Sequence, residues 1–382
     1  MNSEATPVVG MVGAGQLARM TNGAATELGV RFRVLAASAD ESAAQVTADP
    51  FIGDYRSAPD LTAFAAACDV VTFDHEHVPG ALISSLEAAG RVVHPGSAAL
   101  RFTQDKHAMR AHLTGLGYRC PEFEPVASVA DVAAFAGKSG WPVVLKAVTG
   151  GYDGRGVWIC DEAASAAEVL SHGLDLIAEE HIGFTRELAI VVARSPSGQG
   201  AAYPVVETIQ RDGICREVIA PAPGLRPAAA AQAQRLGLEV ARDLGVVGLL
   251  AVELFETPDG LVVNELAMRP HNSGHWTMDG ALTSQFEQHL RAVLNLPLGS
   301  PALTARYAVM VNILGGDDPE LRSRLTHVMA ADPAVKIHLY GKEVRSGRKV
   351  GHVTAVGRDL DRVRDRARRA ASYLADGIEE YS

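Results

Sequence analysis

Apolar and polar positions divide the chain into alternating strand and helix signatures. Pro7–Val12 is a short apolar run ending in Gly13-Ala14-Gly15-Gln16-Leu17-Ala18; Leu17–Leu28 then has helical spacing, and Arg31–Ala36 reads as a second strand. This strand, glycine-rich turn, helix, strand order predicts a doubly wound, Rossmann-like α/β sheet. Val70–Phe73 and Val92–His94 extend it, the latter closed by Pro95-Gly96. Thr103–Leu116 has helical spacing, Val143–Ala147 and Val157–Cys160 are strands flanking a glycine-rich loop, and Asp161–Leu170 is helical. Leu176–Glu180 and Glu187–Ala193 read as strands, and Ala228–Leu244 as a helix ending at Gly245. Leu249–Phe255 and Leu261–Leu266, joined by Pro258-Asp259-Gly260, carry a hairpin signal. Beyond the helix Phe286–Leu294 come the strands Tyr307–Leu314, Val335–Leu339 and His352–Val356, and a closing helix over Asp359–Leu374.

Composition narrows the classes. The chain has 382 residues, 47% hydrophobic and 21% charged, enough for two or three packed domains. A net charge of −10 argues against a broad nucleic-acid surface but allows a local basic pocket for a small anion. No run reaches the roughly 18 apolar residues of a membrane span. The N-terminus shows no basic leader with an apolar stretch, so a cytoplasmic protein is expected. Cys68, Cys120, Cys160 and Cys215 are widely spaced and suit reduced thiols.

Four constellations carry chemistry. Gly13-x-Gly15-x-x-Ala18 matches a phosphate-binding turn, but also a tight turn made for helix packing; no clear acidic ribose partner supports a dinucleotide. Gly150–Gly156, with Tyr152, Asp153 and Arg155 among four glycines, lacks the Gly-Lys-Ser/Thr of a Walker loop. It suits a lid whose backbone amides fold over phosphates, and Lys146 just before it suits a phosphate charge. Glu253 and Glu265 lie in an otherwise apolar hairpin, where ionised carboxylates are costly without a cation. They read equally as a Mg²⁺ clamp or as strand-edge carboxylates paired with an arginine such as Arg269. The loop Arg269-Pro270-His271-Asn272-Ser273-Gly274-His275 follows a buried strand, a common place for substrate contacts, and its spacing does not favour zinc. Lys342, Arg345, Arg348, Lys349 and His352 form a compact basic segment, either an anion pocket or a solvated turn.

Taken together, GAGQLARM at Gly13–Met20, TFDHEHVP at Thr72–Pro79, LKAVTGGYDGRG at Leu145–Gly156, VNELAMRPHNSGH at Val263–His275, TSQFEQHLRAV at Thr283–Val293 and YGKEVRSGRKVGH at Tyr340–His352 resemble the N5-carboxyaminoimidazole ribonucleotide synthases, biotin-independent carboxylases of the ATP-grasp superfamily. The resemblance runs in order along nearly the whole chain. It implies an ATP-grasp fold with a pre-ATP-grasp domain over 1–105, an ATP-grasp domain over 106–299 with its lid at about 118–195, and a C-terminal domain over 300–382.

The implied reaction joins ATP, bicarbonate and 5-aminoimidazole ribonucleotide, with Mg²⁺, through carboxyphosphate. ATP would meet Lys106, Lys146, the loop residues Gly151, Tyr152, Asp153, Gly154, Arg155, Gly156 and Val157, the hinge Glu179-Glu180-His181-Ile182, Glu187, Gln210, Asn264 and Glu265. The ribonucleotide would contact Gln16, Leu17, Glu76, Tyr152, Asp153 and Arg155, its phosphate resting on Lys342, Arg345 and Arg348, while Arg269, His271, Asn272 and Ser273 serve the bicarbonate end. Tyr152 and Asp153 are candidates to orient and deprotonate the amine. Glu253 and Glu265 would hold the metal.

Thr208-Ile209-Gln210, Asp74-His75-Glu76-His77 and Met268 depart from the commoner family strings. The partners implied are small molecules and a second copy in a homodimer, with neither nucleic acid nor membrane. Alternatives are another ATP-grasp ligase, such as a formate-using phosphoribosylglycinamide transformylase or a D-alanine ligase, a nicotinamide oxidoreductase using the Gly13 turn, and a non-catalytic nucleotide sensor.

Overall fold

The computed structural model describes residues 6–151, 154–316 and 321–378. Three sheets organise it. The first is parallel, in the order Phe51–Ile52, Arg31–Ala36, Val8–Val12, Val70–Phe73. Val8–Val12 and Val70–Phe73 are buried on both faces over nearly their whole length, which is why they read as short apolar runs. The expected strand Val92–His94 is reduced to a single bridge from Val93 to Val71. Pro95 follows it with no amide to offer a ladder, and a helix begins at Ser97.

The helix expected over Thr103–Leu116 is two helices, Ser97–Gln104 and Lys106–Gly115. Asp105 between them is extended (φ −131°, ψ 106°), and its carboxylate caps the second helix by accepting from the Ala108 amide at 2.8 Å. Asp105 also bridges to Thr149, and the Lys106 amide donates to the Val148 carbonyl at 2.9 Å. Tertiary pairing thus breaks a helical pattern and sets Lys106 beside the glycine loop.

The second sheet is antiparallel, in the order Phe123–Val126, Leu176–Glu180, Val143–Ala147, Val157–Cys160. With the helices Val129–Ser139 and Ala163–Leu170 it encloses a cluster of its own around Phe135, Val143 and Leu145.

The third sheet has nine strands, Gly260–Ala267, Gly248–Thr257, Arg186–Arg194, Val206–Arg211, Ile214–Ala220, Tyr307–Leu314, Lys349–Gly357 and Lys336–Leu339 in order, with Gly200–Ala202 on Arg186–Arg194. Tyr307–Leu314 pairs with Ile214–Ala220, so the C-terminal strands prolong the central sheet under the helix Leu360–Asp376. Among the described residues no helix is long and apolar enough to cross a membrane.

Candidate active site

The hairpin Gly248–Thr257/Gly260–Ala267 carries the centre. Glu253 lies opposite Glu265, but Leu254 lies opposite Val263, which leaves Asn264 as an extra residue on the second strand. A bulge of this kind re-aims neighbouring side chains. Here Asn264 Oδ1 accepts from Lys146 Nζ at 3.2 Å, while Glu265 Oε1 lies 3.4 Å from Lys106 Nζ. Lys106 Nζ also donates to the Gly150 carbonyl at 3.2 Å, at the entrance of the loop. The two lysines therefore converge on Asn264-Glu265 from different elements, a helix start and a strand of the second sheet.

Of the two opposed carboxylates, Glu265 has Lys106 beside it, whereas Glu253 is buried among like charges. Burial first, then the charges of Glu265 and Glu187, push the Glu253 carboxyl up to about 8. A divalent cation between the two would remove that penalty, so the donor set suits a hard ion such as Mg²⁺. Among the described residues no group of three His, Cys, Asp or Glu side chains makes a metal cluster. A metal held here would need further oxygen ligands from a phosphate.

The four glycines of the loop have left-handed backbone, with φ of 72°, 80°, 75° and 75° at Gly150, Gly151, Gly154 and Gly156. A side chain on Gly154 would come within 2.9 Å of the Gly213 backbone, so the loop packs against the turn of the next hairpin. Val157 begins the strand beyond it, opposite Lys146, and Arg155 is exposed. Tyr152 and Asp153 lie outside the described residues.

In the hinge, the Glu180 amide is taken by the Glu122 carbonyl at 2.9 Å, and His181 and Ile182 form the link to Arg186–Arg194. Glu187, the second residue of that strand, has its pKa raised by burial. Gln210 follows a register shift at Ile209, opposite Cys215.

The Glu179 side chain turns inward. It accepts from Lys146 Nζ at 2.7 Å and from Arg110 Nε at 2.8 Å. Arg110 has no signature in the sequence because an arginine in a helix carries no pattern of its own; its partners lie 69 and 154 residues away.

The loop after the hairpin is rigidly held. Glu76 accepts from the Met268 amide at 2.9 Å and pairs with Arg269 Nε at 3.3 Å. His271 Nδ1 lies 2.8 Å from the Ser273 hydroxyl and accepts from the Ser273 amide at 3.4 Å. The ring proton therefore sits on Nε2, which faces Glu253 Oε1 at 3.5 Å. Burial, then Arg269 and Lys349, lower the His271 pKa to about 3, so the ring is neutral. Asn272 and Asn312 exchange hydrogen bonds at 3.0 and 2.8 Å, tying the loop to the C-terminal strands. Asn312 was not legible in the sequence.

The basic segment faces the N-terminal helix. Lys342 Nζ donates to Gln16 Oε1, Gln45 Nε2 donates to the Gly341 carbonyl at 2.9 Å, and Leu17 is buried in one cluster with Tyr340. Arg345 is paired with Glu343 at 2.6 Å, and Arg348 donates to the Glu343 carbonyl at 3.4 Å.

Residues 111–286 match the ATP-grasp domain, residues 7–104 the ribonucleotide synthetase preATP-grasp domain, and residues 308–366 the phosphoribosylaminoimidazole carboxylase C-terminal domain. The N5-carboxyaminoimidazole ribonucleotide synthase of Mycobacterium tuberculosis is 52% identical over 379 residues, spanning 97% of this chain and 88% of that protein. The chain belongs to the N5-carboxyaminoimidazole ribonucleotide synthase family.

Solved structures of the family agree with this assignment. The Thermus thermophilus synthetase superposes with a TM-score of 0.87 at 36% identity, over 96% of this chain and 98% of that one. The Aspergillus clavatus synthase, in complex with ADP and 5-aminoimidazole ribonucleotide, gives 0.90 at 30% identity over 98% and 99%. The expected ATP-grasp architecture, with its pre-ATP-grasp domain, is therefore the fold of this chain.

Proposed function

We propose that the cleft activates bicarbonate with ATP as carboxyphosphate and delivers the carboxyl group to the amine of 5-aminoimidazole ribonucleotide. The chain is an ATP-dependent ligase of purine biosynthesis that carboxylates this nucleotide, as its family membership establishes. The observation that carries the residue-level reading is the convergence of Lys106, Lys146, Asn264 and Glu265 beneath the glycine loop. Phosphoryl transfer needs positioning and charge neutralisation more than covalent help, and two lysines beside a cross-strand carboxylate pair supply that setting.

Glu253 and Glu265 hold Mg²⁺ in this reading. The metal, when bound, neutralises charge on the phosphates. Lys106, Lys146 and the backbone from Gly151 to Val157 bind phosphates, Glu180–Ile182 line the adenine, and Glu187 and Gln210 flank the ribose. Excluding water under the loop protects a short-lived acyl phosphate.

His271 stays neutral and donates from Nε2 toward the Glu253 carboxylate. With Arg269, Asn272 and Ser273 it orients bicarbonate, and the ties of Glu76 and Asn312 keep that loop in place. The ribonucleotide lies between Gln16, Leu17, Glu76, Arg155 and the segment with Lys342, Arg345 and Arg348. That segment's packing against the N-terminal helix supports a phosphate site there. Asp153 and Tyr152 orient and deprotonate the amine as it attacks CO₂ released from carboxyphosphate. Mg²⁺, a homodimer and a cytoplasmic location belong to the same proposal, and sedimentation velocity tests the dimer.

Phosphate release tests the whole. It should depend on 5-aminoimidazole ribonucleotide and bicarbonate together, and Asp153→Asn should cut carboxylation while sparing ATP binding. Release driven instead by formate and glycinamide ribonucleotide would overturn the proposal in favour of a transformylase.

A further inference from the structure

Lys146, the phosphate lysine, does not stand alone. Its Nζ is 2.7 Å from Glu179 Oε2, and the other Glu179 oxygen is 2.8 Å from Arg110 Nε. Glu179 is 2% exposed and Arg110 0%. A lysine and a carboxylate in contact and out of water sum to no charge, and such a pair attracts a phosphate weakly. Arg110 changes that sum. With it the trio carries one net positive charge, and the carboxylate divides its pull between two cations.

The arginine is also fixed from the other side. Its NH2 donates to the Asn264 carbonyl at 2.6 Å and its NH1 to the Val263 carbonyl at 3.4 Å, on the strand that carries Glu265. It springs from the same helix as Lys106, one turn further on. One side chain thus joins the helix of the first lysine, the strand of the hinge and the bulge of the metal hairpin. Burial and Arg110 both work against the charge on Lys146 and lower its pKa, and the contact with Glu179 opposes them.

We infer that Arg110 is a positioning residue for ATP: by offsetting Glu179 it leaves the charge of Lys146 available to the nucleotide phosphates, and by its fork it sets Asn264 and Glu265 beside them. The inference rests on the proposed role of Lys146 at the phosphates. Its distinguishing consequence is a rescue. Arg110→Met leaves Glu179 to neutralise Lys146, and adding Glu179→Gln removes the anion and frees the lysine again. Damage to the fold alone would worsen with the second substitution.

The test is the KM for ATP of the full-length chain, with the KM for 5-aminoimidazole ribonucleotide and thermal unfolding measured alongside. Arg110→Met should raise the KM for ATP about tenfold to a hundredfold, with little change for the ribonucleotide. The double variant should recover most of that loss while unfolding at a lower temperature than wild type. An unchanged KM for ATP in Arg110→Met, or a double variant that binds ATP as poorly as the single one, overturns the inference. Should Arg110→Met fail to fold, Arg110→Gln, which removes the charge but keeps a hydrogen-bonding amide, decides: it should raise the KM for ATP by a similar factor, and an unchanged one overturns the inference. A wild-type chain that binds no ATP would instead remove the underlying reading.

Discussion

Asp74 Oδ2 accepts a hydrogen bond from the Gly15 amide at 2.8 Å, and its Oδ1 accepts one from Ala18 at 2.8 Å. The glycine-rich turn and the helix it opens therefore each present an amide, from Gly15 and Ala18, to the protein's own carboxylate. A side chain at Gly15 would come within 2.4 Å of that carboxylate, so the glycine serves this contact. A pyrophosphate placed here would meet a like charge. The phosphate-binding pattern of Gly13-x-Gly15-x-x-Ala18 is thus used to join the first strand's turn to the end of Val70–Phe73, and the nicotinamide alternative loses its site.

Asp74→Ala should therefore act on stability. Two backbone amides lose a charged acceptor, at a cost of about 1.5–3 kcal/mol for such bonds. Urea denaturation of the variant should show a lower midpoint with an unchanged slope, and NADH should bind neither form. An unshifted midpoint would mean that the contact is not formed in solution.

At the hairpin, Glu265→Gln should reduce ATP-dependent phosphate release by about a hundredfold or more, as expected when a group stabilising transferred phosphoryl charge is lost. Glu253→Gln should raise the Mg²⁺ concentration needed for half-maximal rate. Both are read from phosphate release against Mg²⁺ concentration. Near-normal turnover in Glu265→Gln would remove the metal assignment.

This hairpin also shows what was legible in the sequence. Largely buried strands such as Val70–Phe73 and Val143–Ala147 stand out because all but one residue in each, Thr72 and Lys146, is apolar. The turn residues of the hairpin and its two glutamates were equally visible. The bulge that turns Asn264 and Glu265 together was not, because it is a property of the pairing. Short or half-exposed elements left weak signals, as at Phe51–Ile52, whose two residues carry no period, and Phe123–Val126, which contains a proline. Arg110, Asn312 and Glu217 were invisible for another reason: a buried polar side chain is explained by its partner, and theirs come from distant segments.

The basic segment separates two arginines. Both Arg345 Nε and NH2 donate to Glu343, at 2.9 and 2.6 Å, in an exposed pair. Arg348 reaches the Glu343 carbonyl at 3.4 Å. Arg348→Ala should raise the KM for 5-aminoimidazole ribonucleotide about tenfold, with kcat and the KM for ATP nearly unchanged, the pattern of lost uniform binding. Arg345→Ala should have a smaller effect, because its charge is already matched. Initial rates over both substrates check this, and a parallel rise of both KM values in Arg348→Ala would place that arginine outside the ribonucleotide site.

Glu217 offers the sharpest test of how the C-terminal helix is held. It lies on the strand Ile214–Ala220, is 0% exposed, and binds Arg364 Nε at 2.7 Å and Arg368 NH2 at 2.6 Å. The two arginines are one helical turn apart, so Leu360–Asp376 presents both from one face. Removing one member of a buried ion group costs about 3–5 kcal/mol when the rest stays dry, and the partial exposure of both guanidinium groups reduces that to about 2–3 kcal/mol. Glu217→Gln should lower the urea midpoint accordingly while leaving both KM values unchanged at low temperature. Replacing all three side chains by methionine should recover much of the loss, since apolar residues of similar volume avoid the stranded charges. A triple variant less stable than Glu217→Gln would show that the ion group itself, and not merely the avoidance of an unpaired charge, fastens the helix to the sheet.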